Sequence, residues 1–181
     1  QVAIDNVELQ DDFGGEAIIL LFRGEEGTDI TDLFAGENLD ELARLEAELR
    51  EIPEVYSVVA PLTSVTFSDN IVKQSVGTNA LVSALEREPS EEGKAARQAD
   101  IELQLARLGE IDEQELANPD WANFLLFDNT GFAATDAGVQ PPPDDERSVR
   151  ASLRGTFPNL QTAVGGVLLK GNADLDTLSA G

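Results

Sequence analysis

The sequence predicts an α+β fold built on a β-α-β unit, with a large all-helical insertion before the chain returns to the same sheet. Three observations point there. An apolar run from Glu16 to Phe22, rich in strand formers and closed by Gly24, has the length of a buried strand. Leu39, Leu42, Leu45, Leu49 and Ile52 then recur at helical spacing, and Val55–Val59 follows as a second strand signal. Far along the chain, Thr162 to Lys170 is a third strand signal. The connection between the first two strands is long enough for them to run parallel.

Residues Gln1 to Asp12 alternate weakly through Val2, Ile4, Val7 and Leu9, and read as an extended lead-in or an edge strand. Phe13-Gly14-Gly15 is a break. The loop from Gly24 to Glu37 is long for a plain strand-to-helix connection, and Asp29, Thr31 and Asp32 predict turns with one short helical turn through Leu33-Phe34. Asn38 with Glu41 three positions on resembles a capping box at the start of the leucine-periodic helix, which Pro53 ends. Ser68-Asp69 predicts the cap of a helix through Ile71 and Val72, broken at Gly77-Thr78-Asn79 before Ala80 to Leu85. Pro89-Ser90-Glu91-Glu92 starts a helix that continues through Ile101, Leu105 and Leu108 to Gly109, with acids in its first turn. A further helix signal covers Asp112 to Leu116. Asn118-Pro119-Asp120 starts another, carrying Trp121, Phe124, Leu125 and Phe127.

Asp128 to Asp145, with Gly131, Gly138 and Pro141-Pro142-Pro143, reads as a surface connection containing a stiff extended element. Arg147 to Leu153 is expected to be helical, and Gly155, Pro158 and Asn159 mark a turn. The glycine pair Gly165-Gly166 in the third strand implies a bulge or a close backbone neighbour. Asn172-Ala173-Asp174 starts a helix, so the αβ unit is expected to lack its last helix and strand. The expected organisation is residues 1–62 as the first β-α-β half, 63–127 as the helical insertion, and 128–181 as the connection and returning strand.

The 181 residues include 35 acidic and 12 basic side chains, a net charge of −23. Nucleic acid and anionic membrane surfaces are therefore poor partners, since binding them rests on neutralising phosphates with Lys and Arg. The carboxylates are spread along the chain, as on a solvated, self-repelling surface. Cysteine, histidine and methionine are absent. That excludes disulfides, thiolate chemistry and zinc sites built on Cys or His. The missing methionine also leads us to expect a piece of a longer protein. No stretch approaches the ~20 apolar residues of a membrane span.

Nothing in the chain argues for catalysis or a cofactor. Without histidine, a nucleophile would need a lysine or carboxylate base, and Lys73, Lys94 and Lys170 have no serine at dyad spacing. There is no G-x-x-x-x-G-K-[ST] and no G-x-G-x-x-G. Asp128-Asn129-Thr130-Gly131 has the look of a calcium loop, but the twelfth position, where the EF-hand needs Glu, is Val139. Trp121, Phe124 and Phe127 form the densest aromatic cluster, and their first reading is a core or interface stripe. The functional reading of the same three residues is the lining of a groove past which a long apolar substrate moves.

Phe13-Gly14-Gly15 leading into Glu16–Phe22, the leucine-periodic helix ending in Ile52-Pro53-Glu54-Val55-Tyr56-Ser57-Val58, and Arg154-Gly155-Thr156-Phe157-Pro158-Asn159 leading into Thr162–Lys170 and Gly171-Asn172-Ala173-Asp174 together form a pattern. It resembles the extracytoplasmic porter domain of RND-superfamily transporters of the MMPL, or hydrophobe/amphiphile exporter, type. The resemblance implies a ferredoxin-like porter subdomain at the cell membrane, on the extracytoplasmic side, in the loop between the first two membrane helices of one half of the transporter. Such exporters use proton or ion gradients to move lipids, hopanoids or other amphiphiles. The implied partners are the transmembrane helices and second porter domain of the same protein, and a hydrophobic or lipid substrate, with an oligomer permitted. The acidic excess and the helical insertion have no counterpart in that expectation. The runner-up is a free-standing ferredoxin-like ligand-binding or sensor module, and a carboxylate-based enzyme ranks last.

Overall fold

The computed structural model describes residues 17–24, 27–74, 82–83, 85–128, 132–140, 142–143 and 146–170. The expected lead-in at residues 1–12, the break at Gly77–Asn79 and the helix start at Asn172 lie outside them. The named elements are β1 (Ala17–Arg23), α1 (Glu37–Glu51), β2 (Val55–Val59), α2 (Pro61–Lys73), α3 (Glu91–Gly109), α4 (Pro119–Leu126), β3 (Ala133–Thr135), β4 (Gly138–Gln140) and β5 (Thr162–Leu169). The fold is mixed α+β. The chain divides into two compact units, Gln1–Ser64 with Gly155–Gly181, and Val65–Arg154.

In the first unit the three expected strands share one antiparallel sheet of order β1-β5-β2. Leu20 lies opposite Gly165, and Val58 opposite Val167. β1 and β2 run in the same direction, as a crossover helix requires, but they are not neighbours, because β5 enters between them and pairs antiparallel with both. The β1–β5 register is unbroken from Ala17↔Leu168 to Arg23↔Thr162. Gly165-Gly166 therefore makes no bulge with β1, and the register shift falls instead between Val55 and Ser57 of β2. The alternative expectation, a close neighbour, holds at Gly165: a Cβ there would stand 3.0 Å from the Val59 carbonyl oxygen and 3.3 Å from the Ala60 Cα.

A 3-10 turn, Ile30–Phe34, occupies the predicted loop and is where the capping box forms, with Asp29 accepting from the Thr31 N–H and Asp32 from the Asp29 N–H. α1 starts one residue earlier than Asn38, after Gly36 at φ +52°, a left-handed turn that a glycine takes at little cost. Asn38 is thus inside the helix, and its amide donates back to the Asp32 carbonyl at 2.9 Å. α1 packs on β2 and the 3-10 turn. Val58, Ala60, Val167 and Leu169 form the buried centre, flanked by Leu20, Leu49 and Val55. Phe34 and Phe157, both fully buried, meet at 6.1 Å between ring centroids.

α2 begins at Pro61, which suits a first helical turn, so Ser68 and Asp69 lie mid-helix instead of capping it. In the second unit α3 is capped by Ser90, which accepts from the Gly93 N–H, and α4 by Asn118 with Pro119 next, as expected. Two expectations fail. Residues 112–116 contain no helix, and of Arg147–Leu153 only Ala151–Leu153 forms a single 3-10 turn. Val149 instead bridges Phe127 in an antiparallel pair, with Asp128 N–H donating to the Ser148 carbonyl and Arg150 N–H to the Leu126 carbonyl. Within the expected irregular connection, β3 and β4 make a short hairpin.

Candidate functional site

The second unit places Trp121, Phe124 and Phe127 on α4 and at its C-terminal end, all buried. Pro119 and the Asn118 cap start the helix, and its apolar residues fill the core of the unit. The Trp121 and Phe124 rings stack, 5.4 Å apart with 12° between planes. The indole N–H of Trp121 donates to Asp69 Oδ1 at 2.7 Å, and Lys73 pairs with the same carboxylate at 2.9 Å. Of the three aromatics, Phe124 borders a cleft.

That cleft has a volume of about 390 Å³ and includes Arg107, Glu110, Phe132, Val139 and Arg147 in its walls. Arginines crowd the rings: Arg107 lies 3.6 Å from the Phe132 centroid and 5.3 Å from that of Phe124, and Arg150 lies 5.4 Å from the Phe124 centroid. Their hydrogens go to the backbone at the end of α4 and just past it, Arg107 donating to the Asp128 carbonyl and Arg150 to the Phe124 carbonyl. Both bonds satisfy acceptors near a helix C-terminus, where positive charge is favoured. Burial pushes the Arg107 pKa down to about 10, with the charge of Arg150 adding to the effect and Asp128 and Asp100 opposing it. Burial lowers Arg150 as well. Glu110 accepts from the Val139 N–H, tying the β3–β4 hairpin to the end of α3.

The first unit offers a different kind of surface. Residues of β1 and β5 that face each other across the ladder share a side, so Ile19, Leu21, Val164, Gly166 and Leu168 lie on one face together with Val59 of β2. This face is open. Ile19 is 74% exposed, Leu21 54%, Val59 50% and Leu168 41%. On the opposite face α1 covers β2, while Ile18 of β1 is also exposed. Beside α1 a groove of about 670 Å³ is bordered by Phe22, Leu33, Leu42 and Leu45, with Arg23 and Arg44 among its polar residues.

Comparison of the chain with protein-family models, with curated proteins and with solved structures finds no match. The open sheet face is the feature that reading the sequence missed. Six consecutive apolar residues, Ala17 to Phe22, indicate a strand covered on both sides, and no local signal tells a covered strand from one awaiting a cover. Among the described residues no group of three or more acidic side chains is arranged to hold a metal ion.

Proposed function

We propose that this chain is the extracytoplasmic porter domain of an RND-superfamily exporter of the MMPL type, with a ferredoxin-like arrangement of its first unit. In this reading it binds and conveys lipids or other hydrophobic molecules without covalent chemistry, next to membrane helices and a second porter domain of the same protein. The observation that carries the reading is the open apolar face of Ile19, Leu21, Val59 and Leu168, in a protein with 35 acidic residues. Such a face fits apolar ligands or a packed neighbouring domain. The strand order supports it too, since two co-directional strands joined by a helix and separated by an antiparallel strand are three of the four strands of a ferredoxin-like sheet. Phe124, at the wall of the second unit's cleft, is the member of the Trp121, Phe124, Phe127 set best placed to meet a ligand.

The test is titration with lysophosphatidylcholine below its micelle threshold, a zwitterionic probe because the net charge of −23 repels anions. Methyl NMR of Ile19, Leu21 and Val59 is expected to shift saturably. Methyl spectra unchanged up to the micelle threshold would rule out lipid conveyance by this sheet. The second reading, a free-standing ferredoxin-like ligand-binding module, is favoured by the ligand-sized groove contained within the first unit. The parent reading frame separates the two: apolar spans of membrane length on both sides belong to the exporter, and their absence to the module.

A further inference from the structure

Carboxylates stand on this molecule where helix electrostatics opposes them. On α1, Glu37, Asp40, Glu41, Glu48 and Glu51 are all exposed, and Glu37 with Asp40 and Glu41, like Glu48 with Glu51, are spaced three or four residues apart. Like charges at that spacing repel. Glu48 and Glu51 also occupy the last turn, at the helix end whose own partial charge is negative. The end of α3 repeats the arrangement, with Glu110, Asp112, Glu113 and Glu115 all exposed just beyond its last residue, Gly109. Positive charge is drawn the other way. Arg107 is buried and donates to the Asp128 carbonyl, Arg150 donates to that of Phe124 and Arg154 to that of Val149. Arg50 and Lys73 pair with Glu46 and Asp69, the two buried acids among the described residues. The exposed surface is thereby left to the acids.

We infer that ionic strength gates this fold: the chain is folded in molar monovalent salt and unfolds as the salt is withdrawn. Residues three and four apart on a helix have Cβ atoms about 5–6 Å from each other. Charges are screened beyond about 10 Å at 0.1 M salt and beyond about 3 Å at 1 M. Neighbouring acids on α1 therefore repel in dilute buffer and are screened from one another in molar salt. With a net charge of −23 the same repulsion acts along the whole chain, and unfolding relieves it by letting the charges move apart. Folded domains keep only a small net stability, so the sum of many weak repulsions is enough to tip the balance. The acids are dispersed over exposed faces instead of converging on one point, so the stabilising agent is the diffuse cation atmosphere and any monovalent cation serves.

The experiment is circular dichroism of the full chain, with thermal melts from about 0.05 to 3 M KCl. It is repeated with NaCl and with tetramethylammonium chloride, whose cation screens charge but does not coordinate. The melting temperature is expected to rise by at least about 10 °C between about 0.1 and 2 M salt, to the same extent in all three chlorides, with the helical signal lost in the most dilute samples. Glu51→Lys and Glu113→Lys each replace an exposed acid at a helix C-terminal end by a favourable cation. Both are expected to fold at lower KCl than the parent, and in about 3 M KCl to melt within about 2 °C of it. A melting temperature that does not change with KCl would overturn the inference. So would stabilisation by potassium or sodium that tetramethylammonium fails to reproduce, which would mean a bound cation. A gain from the two lysines as large at high salt as at low would overturn it too, because that would mean a local contact. None of these readouts involves a ligand, so their outcome is separate from that of the lipid titration.

Discussion

Glu46 is a buried carboxylate with a defined task, and removing it is a sharp test of how the first unit is held together. Its side chain is 3% exposed. Oε1 accepts from the backbone N–H of Thr63 at 3.1 Å, and Oε2 accepts from the Thr63 hydroxyl at 2.8 Å and from Arg50 Nη2 at 2.9 Å. Thr63 is the third residue of α2, so its N–H is one of those a helix leaves without an internal acceptor. Glu46 thus caps α2 from another helix and places negative charge at its positive end. Arg50 is about half exposed, so its ion pair contributes at most about 1 kcal/mol. The Thr63 bonds to a charged acceptor carry the larger share, and Glu46→Ala is expected to cost about 3 kcal/mol in all. Glu46→Gln keeps one acceptor oxygen but loses the charge, for a cost of about 1.5 kcal/mol. Urea unfolding followed by hydrogen exchange in β5 reads the first unit. A cycle with Thr63→Val is expected to show coupling of about 1–2 kcal/mol. Glu46→Ala within 0.5 kcal/mol of the parent, on the order of an ordinary surface substitution, would refute the capping argument.

Three further outcomes follow from particular contacts. Gly165→Ala forces a Cβ against the backbone at Val59 and Ala60 and is expected to cost about 1–3 kcal/mol, whereas Gly166→Ala, with nothing within 4 Å of its Cβ, stays within about 0.5 kcal/mol or gains slightly in thermal melts. Equal effects at the two positions would contradict the close approach. Trp121→Phe removes the bond to Asp69 from a buried site and is expected to lower stability by about 2 kcal/mol in urea melts; a neutral result would mean that this bond contributes nothing net. Arg107 has a folded-state pKa of about 10, below the usual guanidinium range, so above about pH 9 the unfolded chain holds more protons and stability rises with pH there. The stability of the parent relative to Arg107→Met is therefore expected to grow by about 1 kcal/mol from pH 9 to pH 11. A difference that is flat or shrinks over that range would show the sign to be wrong.

Much of the local structure was legible. Ser90 and Asn118 with Pro119 announce their helices because capping chemistry lies within three residues of the cap. The strands at β1, β2 and β5 show as short apolar runs. Misreadings cluster where two local signals compete. Ser68-Asp69 looks like a cap, yet Pro61 starts that helix and Asp69 is used to hold Trp121. Asn38 looks like a cap, yet the left-handed Gly36 turns the chain first. Residues 147–153 have helical composition, but Val149 finds a strand partner in Phe127, which no short window reveals.

The candidate site was legible only in part. Trp121, Phe124 and Phe127 stand out as a cluster, but their burial and the arginines around Phe124 depend on residues distant in the chain. By itself the sequence determined the acidic character of the molecule, the absence of thiol and imidazole chemistry, and the kind of each strong element, because those follow from side-chain identity and spacing. Tertiary structure alone decided that β5 separates β1 from β2, that Ile19 and Leu21 of β1 are exposed, and that Glu46 completes a helix in another part of the chain. Strand order and burial are set by which distant surfaces meet, and an apolar run reads the same whether or not anything comes to lie on it.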